Sequence, residues 1–343
     1  MPEHKYNAVD LFAGCGGLSE GLRQAGFRTI AACEIDPVAV ATYRINHPDV
    51  HVFEEDIRRV DSLSIRKSLN GEPLHLLAGC PPCQGFSSLR RLNKKRSVRD
   101  GRNSLVDEYS RFIEELRPLT IMMENVPGLQ NYFKFQDMIK KLKKIGYHLD
   151  TAVVNVANYG VPQRRKRLIL VGSLLNAINI APEINIKKTV AMCIGSLEPV
   201  KETNDPLHKI VAKHTEKIME MIRQIPKDGG SRTDLPKKYI LECHKRENVG
   251  FNDVYGRLKW NDYSSTITGG CLNPSKGRFL HPSENRAITA REAALLQTFP
   301  RDYVFSKNAT KTKIALMIGN ALPPEFCRLQ AKNILDHLAV NHG

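Results

Sequence analysis

Three observations predict an α/β fold: a doubly wound, Rossmann-like, mostly parallel sheet with a smaller domain inserted into it. Over the first 175 residues, short β-rich runs alternate with amphipathic stretches, the pattern of strand–helix–strand units. Phe12, Glu34 and Asp56 each follow one of the first three β-rich runs and are spaced by 22 and 22 residues, the length of one strand–helix unit. Beyond about Leu175 the alternation lapses, and helical patterning returns only from Arg286. At 343 residues the chain is also long for one compact domain.

Asn7–Phe12 (NAVDLF) reads as the first strand and Arg28–Cys33 (RTIAAC) as the second. A third ends near Asp56, Leu74–Ala78 makes a fourth, and Thr120–Met123 a fifth that leads into Glu124. Between the last two, Leu105, Tyr109, Phe112, Ile113 and Leu116 recur at helical spacing. Ser104 caps that helix, Asp107 stands three residues on, and Pro118 stops it. Phe135–Ile145 is a further helix, closed by Gly146, before strands at Leu149–Val156 and Leu168–Val171. Residues 176–285 are polar and irregular, with turn signals in KDGGSR and GGCLNPSKGR. Ile218–Ile225 and Ser265–Thr268 still carry apolar patterning there, which predicts a second domain rather than a linker. The expected organisation is therefore a first domain over 1–175, an insertion over 176–285, and a hinge and C-terminal segment over 286–343 whose last roughly 25 residues rejoin the first domain.

The 51 Lys and Arg against 36 Asp and Glu leave a net charge of +15, an excess that points to a polyanionic partner such as nucleic acid. The N-terminal stretch has no charged-then-apolar signal segment, and no apolar run approaches the roughly 18 residues of a membrane span. The 8 cysteines are scattered, so reduced thiols in a cytoplasm are expected rather than a disulfide framework.

In an open parallel sheet, ligands bind at the carboxyl ends of the strands, and the unusual residues fall there. FAGCGGLSEG is a glycine turn between a strand and a helix, although Ser19 stands where the third glycine of a dinucleotide fingerprint belongs. With Glu34 as an acceptor for a ribose diol, it suits NAD and S-adenosylmethionine equally, and no phosphate-binding lysine follows. The Cys80-Pro-Pro-Cys83 spacing suits a redox dithiol, half a zinc site, or one nucleophile on a rigid loop. No second CxxC or HxxxH supplies further metal ligands, so no metal is expected. The prolines keep Cys80 off a helix N-terminus, so a single nucleophile at Cys83 is favoured.

FAGCGG, Glu34, Asp56, PPCQGFS, ENV, QRRKR, the REAALLQTFP block and GNALPP stand in the order seen in bacterial-type cytosine-5 DNA methyltransferases. The chain resembles that family from about residue 8 to 330, apart from residues 180–255. The resemblance implies S-adenosylmethionine as cofactor. Phe12 would stack on its adenine, Gly14, Gly16 and Gly17 would line its amino-acid part beside Ala13, and Glu34 would hold its ribose. Asp56 would hold the adenine amino group with Ile57 beside it, and Asn320 would close the site. Ile35 is a departure, since many relatives carry an aromatic residue there.

On the substrate side, the resemblance implies Cys83 as nucleophile and Glu124 as partner of the target cytosine's ring nitrogen and amino group. Gln163, Arg165 and Arg167 would lie near that base, with both arginines in the catalytic group and their charge favouring the thiolate. Gln84 and Ser87 would touch DNA. Thiolate addition to carbon 6 makes carbon 5 nucleophilic, and an acid at nitrogen 3 stabilises the charge pushed into the ring. The base must first be flipped from the duplex. The basic stretch LRRLNKKRSVRDGR (89–102) reads as a mobile loop closing over DNA. Residues 176–285 become the target-recognition domain, with Arg232, Arg257 and Arg278 as candidate guanine readers. The implied setting is a cytoplasmic, nucleoid-associated monomer acting on double-stranded DNA, with any cognate restriction endonuclease a separate protein. A tRNA-directed relative is the nearest rival, but PPCQGFS and the lack of a later Cys-Phe-Thr favour DNA. More distant rivals are an orphan methyltransferase without a nuclease, a catalytically dead DNA-binding protein and a nicotinamide oxidoreductase.

Overall fold

The computed structural model describes residues 5–82, 105–242 and 253–342. The first strand, β1 (Tyr6–Leu11), is buried at every position, as a strand covered on both faces must be. Helix α1 (Gly17–Ala25) starts after Gly16 and ends at Gly26, which take φ values of 94° and 106°. Strand β2 (Phe27–Cys33) follows, then α2 (Pro37–Asn46), where Pro37 opens the helix and the Asp36 carboxylate caps the Val38 amide. Strand β3 (His51–Phe53), α3 (Ser62–Ser68) and β4 (Leu76–Gly79) come next. Then come α4 (Leu105–Leu116), β5 (Thr120–Asn125) and α5 (Phe133–Lys144). The sheet ends in β6 (His148–Asn155) and β7 (Lys166–Ser173).

The seven strands are ordered β3-β2-β1-β4-β5-β7-β6. The first five run parallel, and β7 is antiparallel to both β5 and β6. Strand order reverses between β1 and β4, which puts the ligand crevice of a doubly wound sheet at their carboxyl ends. One face carries a core that includes Val9, Leu77, Tyr109, Phe112, Ile121 and Phe135. Tyr109 pins α4 to the sheet by donating to the Leu77 or Met122 carbonyl, at 3.1 and 2.9 Å.

Two compact units emerge. The first holds residues up to Tyr159, Lys166–Ile184 and Ala321 onward; the second holds Gly160–Arg165 and Asn185–Asn320. The second contains α6 (Val190–Ile194), α7 (Glu216–Gln224), α8 (Ala290–Leu296) and α9 (Lys311–Asn320). Among the described residues, the rest of its chain is short 3-10 turns and irregular loops, joined by isolated bridges such as Gln163↔Ser264 and Arg257↔Leu280. Helix α10 (Pro324–Asn341) belongs to the first unit, where Cys327 donates to the Leu18 carbonyl at 3.2 Å.

These boundaries differ from the expected ones. Residues 286–320, expected as part of a hinge and C-terminal segment distinct from the insertion, group with the insertion, while Ala321 onward groups with the first unit. The reason is local: Thr289 bonds His208 at 2.8 Å, Arg291 bonds Asp205 at 2.5 Å, and the Ala290 amide reaches the Ile210 carbonyl.

Candidate active site

The crevice is built first by the turn after β1. Phe12 is held at φ 62°, a left-handed conformation costly for a bulky residue. Gly14 at φ 55° has nothing within 4 Å of where a Cβ would stand, so its backbone edge is open to a ligand. Neighbouring strand ends lock this turn: the Ala13 amide donates to Cys33 at 3.0 Å and the Cys80 amide to Leu11 at 3.2 Å. Glu34, at the end of β2, accepts from the amides of Gly14 (2.8 Å), Ile35 (2.9 Å) and Asp36 (2.8 Å). Burial nevertheless raises its pKa above the ordinary value. Ile35 beside it is 61% exposed.

Beneath the turn, buried Asp10 accepts from Ser19 at 2.6 Å, and that hydroxyl also meets Tyr43 at 2.6 Å. Burial pushes Asp10 up to about 7. Asp56 is bonded by Arg58, through both backbone and guanidinium, which holds it down at about 2. Ala13 and Gly17 are buried, whereas Ile57 packs into the core and its carbonyl accepts from Arg111 at 3.1 Å. The Ile57 side chain thus serves packing rather than the expected place beside a ligand.

The second wall comes from β4 and β5. Burial first, and then the neighbouring Glu124 carboxyl, push the Cys80 thiol well above its usual value, so it is no thiolate at neutral pH. Asn125 donates to the Pro81 carbonyl at 2.8 Å and accepts from the Val126 amide at 2.8 Å. It thereby fastens the end of β5 to the chain that runs into Cys83. In the β5–β7 register Glu124 faces Ile169, which makes Arg167 its diagonal neighbour on the same face. Arg167 Nε stands 2.6 Å from Glu124 Oε1, a mostly buried ion pair whose N–H is not aligned for a hydrogen bond. Cys83, Gln84, Ser87, Ser104 and the basic stretch 89–102 lie outside the described residues.

Within the second unit, several expected contacts take other roles. Buried Gln163 donates to the Leu296 carbonyl at 3.1 Å and accepts from the Ile267 amide at 3.1 Å, so its amide is engaged internally rather than at a base. Arg165, expected among the catalytic group, is also buried and donates from Nη1 to Ile267 (2.9 Å) and Gly319 (3.0 Å). Asn320 ends α9 and is exposed.

The expected guanine readers are corrected most plainly. Arg257 is fully buried and donates to the carbonyls of Ile222, Ile225, His281 and Glu284 and to Asn285. Arg278 donates to Gly229, Gly230 and Arg257 carbonyls and pairs with Asp253. Arg232 is buried at the start of a short 3-10 turn. The guanidinium groups of Arg257 and Arg278 fill a domain short of regular structure, where loop carbonyls need donors. Asn125 and the Asp10–Ser19–Tyr43 network were missed; the only sequence signal for Asn125 was its place in ENV beside Glu124.

No cluster of His, Cys, Asp or Glu able to hold a metal ion occurs among the described residues. None of the helices described is long and apolar enough to cross a membrane.

Fold and strand-end chemistry together define the class, a doubly wound α/β enzyme with an acid–cysteine wall beside a glycine turn. The chain belongs to the family of C-5 cytosine-specific DNA methylases, whose profile matches residues 6–336, and it is a methyltransferase of that kind. It is 36% identical to the Type II methylase M.HgiDII of Herpetosiphon aurantiacus, over 97% of this chain and 96% of that one. It is 34% identical to the Type II methyltransferase M.PspPI of a Psychrobacter species, over 97% of this chain and 80% of that one. Among solved structures, a candidate DNA modification methyltransferase encoded within an Escherichia coli prophage matches with TM-score 0.70 and 27% identity, covering 98% of this chain and 100% of that one.

Proposed function

We propose that this enzyme methylates carbon 5 of a flipped cytosine within a specific double-stranded DNA sequence, through a covalent adduct with Cys83. We further propose that it is the modification partner of a separate restriction endonuclease, a reading supported by the Type II naming of its relatives. The observation that carries the catalytic proposal is the strand-end assembly of Arg167, Glu124 and Asn125, with Asn125 bonded to Pro81 two residues before Cys83.

The cofactor fit is tested by the crevice itself. An open glycine edge at Gly14, an anchored carboxylate at Glu34 and an exposed apolar side chain at Ile35 suit a nucleoside with a polar amino-acid tail. Phe12, Ala13, Gly14, Gly16, Gly17, Glu34, Ile35, Asp56, Ile57 and Asn320 are the proposed holders of S-adenosylmethionine, with Ile57 acting through its backbone. When bound, that group supplies an electrophilic sulfonium methyl.

The chain's own residues prepare the base. Cys83 Sγ attacks carbon 6, the electron pair moves toward nitrogen 3, and carbon 5 gains nucleophilic character. Glu124 meets nitrogen 3 and the exocyclic amino group, and Arg167 fixes the carboxyl in place. Once carbon 5 carries the methyl group, loss of its proton re-forms the ring double bond and expels the cysteine as thiolate. Base-resolution methylation mapping of DNA from cells that express the enzyme tests the whole reading. The expected result is 5-methylcytosine at one position of a short recurring word. Unmodified DNA with methylated tRNA would favour the rival substrate instead.

A further inference from the structure

We infer that Arg165 is a positioning residue for cofactor binding: it fixes the backbone that carries Asn320 and does not act on the target base. The inference rests on the reading of Asn320 as a cofactor residue. All the contacts behind it lie within the second unit.

The segment before Arg165 is pinned along its length. The Ser264 amide donates to Pro162 at 2.8 Å, the Arg164 amide donates to Ser264 at 3.0 Å, and Thr266 Oγ1 donates to Arg164 at 2.6 Å. Gln163 accepts from the Ile267 amide. From this platform the buried guanidinium of Arg165 spans two carbonyls 52 residues apart in the chain, those of Ile267 and Gly319.

Gly319 explains why the span is so short. A Cβ there would fall 2.0 Å from the Thr268 carbonyl carbon and 2.2 Å from the Gly269 nitrogen, so the end of α9 lies directly on this backbone. Only glycine permits that approach. Arg165 ties the two layers together one residue before Asn320, with both bonds donated by Nη1, at a reach the shorter lysine side chain does not match. A guanidinium committed in this way and buried is poorly placed to read a flipped base as well.

The test is calorimetric binding of S-adenosylmethionine to the purified full-length enzyme and its variants. Arg165→Lys should raise the Kd about tenfold, the size of one lost charged hydrogen bond, and Asn320→Ala should do likewise. The double variant should bind no more weakly than Asn320→Ala alone, because one residue acts through the other. Arg165→Gln, which keeps a planar donor on a shorter, uncharged side chain, keeps the test open if Arg165→Lys folds poorly. It should raise the Kd too, with no further rise when combined with Asn320→Ala. An unchanged Kd in Arg165→Lys with a fallen kcat would return Arg165 to the base and overturn the inference. Multiplying effects in the double variant would overturn it as well, while leaving Asn320 as a cofactor residue. An Asn320→Ala variant that binds normally would reject the Asn320 reading itself, and the inference with it.

Discussion

At Glu124 a carboxyl, a guanidinium and a thiol meet from β5, the start of β7 and the end of β4, and burial keeps the thiol unreactive. Every described cysteine is a free thiol raised above its ordinary value by burial, with Cys15 and Cys271 pushed up to about 12. A thiol that cannot ionise is a poor nucleophile. Brief alkylation at pH 8 should therefore leave all six unlabelled and modify Cys83, as read by peptide mass spectrometry. Cys83→Ser should abolish transfer while DNA binding survives, and Cys80→Ala should keep most activity. Rapid labelling of Cys80, or loss of transfer in a folded Cys80→Ala enzyme, would bring back the dithiol reading. Arg167→Ala leaves Glu124 in place without its ion partner, and kcat should fall by about 10²- to 10³-fold, the usual cost of a lost electrostatic stabiliser. An unchanged kcat would remove Arg167 from the mechanism.

Between β1, α1 and α2, the Asp10–Ser19–Tyr43 network makes the glycine turn after β1 sensitive to pH. Asp10 titrates near 3.8 when unfolded and at about 7 in the fold, chiefly through burial, with the Glu34 carboxylate adding to the shift. The folded state therefore binds the proton more tightly, so this stability is present below pH 4 and is lost progressively up to about pH 7. Asp10→Asn has no such loss, so its melting temperature should gain on wild type between pH 5 and pH 8. The difference is on the order of a few kcal/mol. A constant difference across that range would remove Asp10 as the source. Sequence made this region legible because glycines, β-rich runs and strand-end acids are local signals: Gly16, Gly26 and Glu34 stand where the elements change. It did not reveal Asn125 reaching back to Pro81, or Arg165 reaching Gly319, because contacts across 44 and 154 residues leave no periodic trace. Nor does sequence distinguish an arginine that reads guanine from one that props up loop carbonyls. Both sit in glycine-rich turns, and only burial separates them.

Across the whole molecule, the net charge of +15 and the excursion of residues 185–320 from the sheet unit are the features that bear on DNA recognition. With Arg257 and Arg278 committed internally, the exposed cations in the turns and loops of the second unit include, among the described residues, Lys227, Lys237, Lys238, Lys259 and Lys276. Arginine buried among carbonyls and lysine in solvent should therefore respond in opposite ways to replacement. Arg257→Ala removes a donor from four backbone carbonyls and should cost about 2–4 kcal/mol of stability, measured by denaturant unfolding. The methylated word should not change in the fraction that stays folded. Lysine replacements should leave stability alone, and each one that touches a phosphate should flatten the dependence of log affinity on log salt by about one unit. The affinity of the wild type itself should fall steeply with salt, since counterion release dominates binding by so basic a chain. If Arg257→Ala instead kept full stability and relaxed the methylated word at one base pair, the side chain must leave its carbonyl cage when DNA binds. Base reading by arginine would then be restored to the second unit.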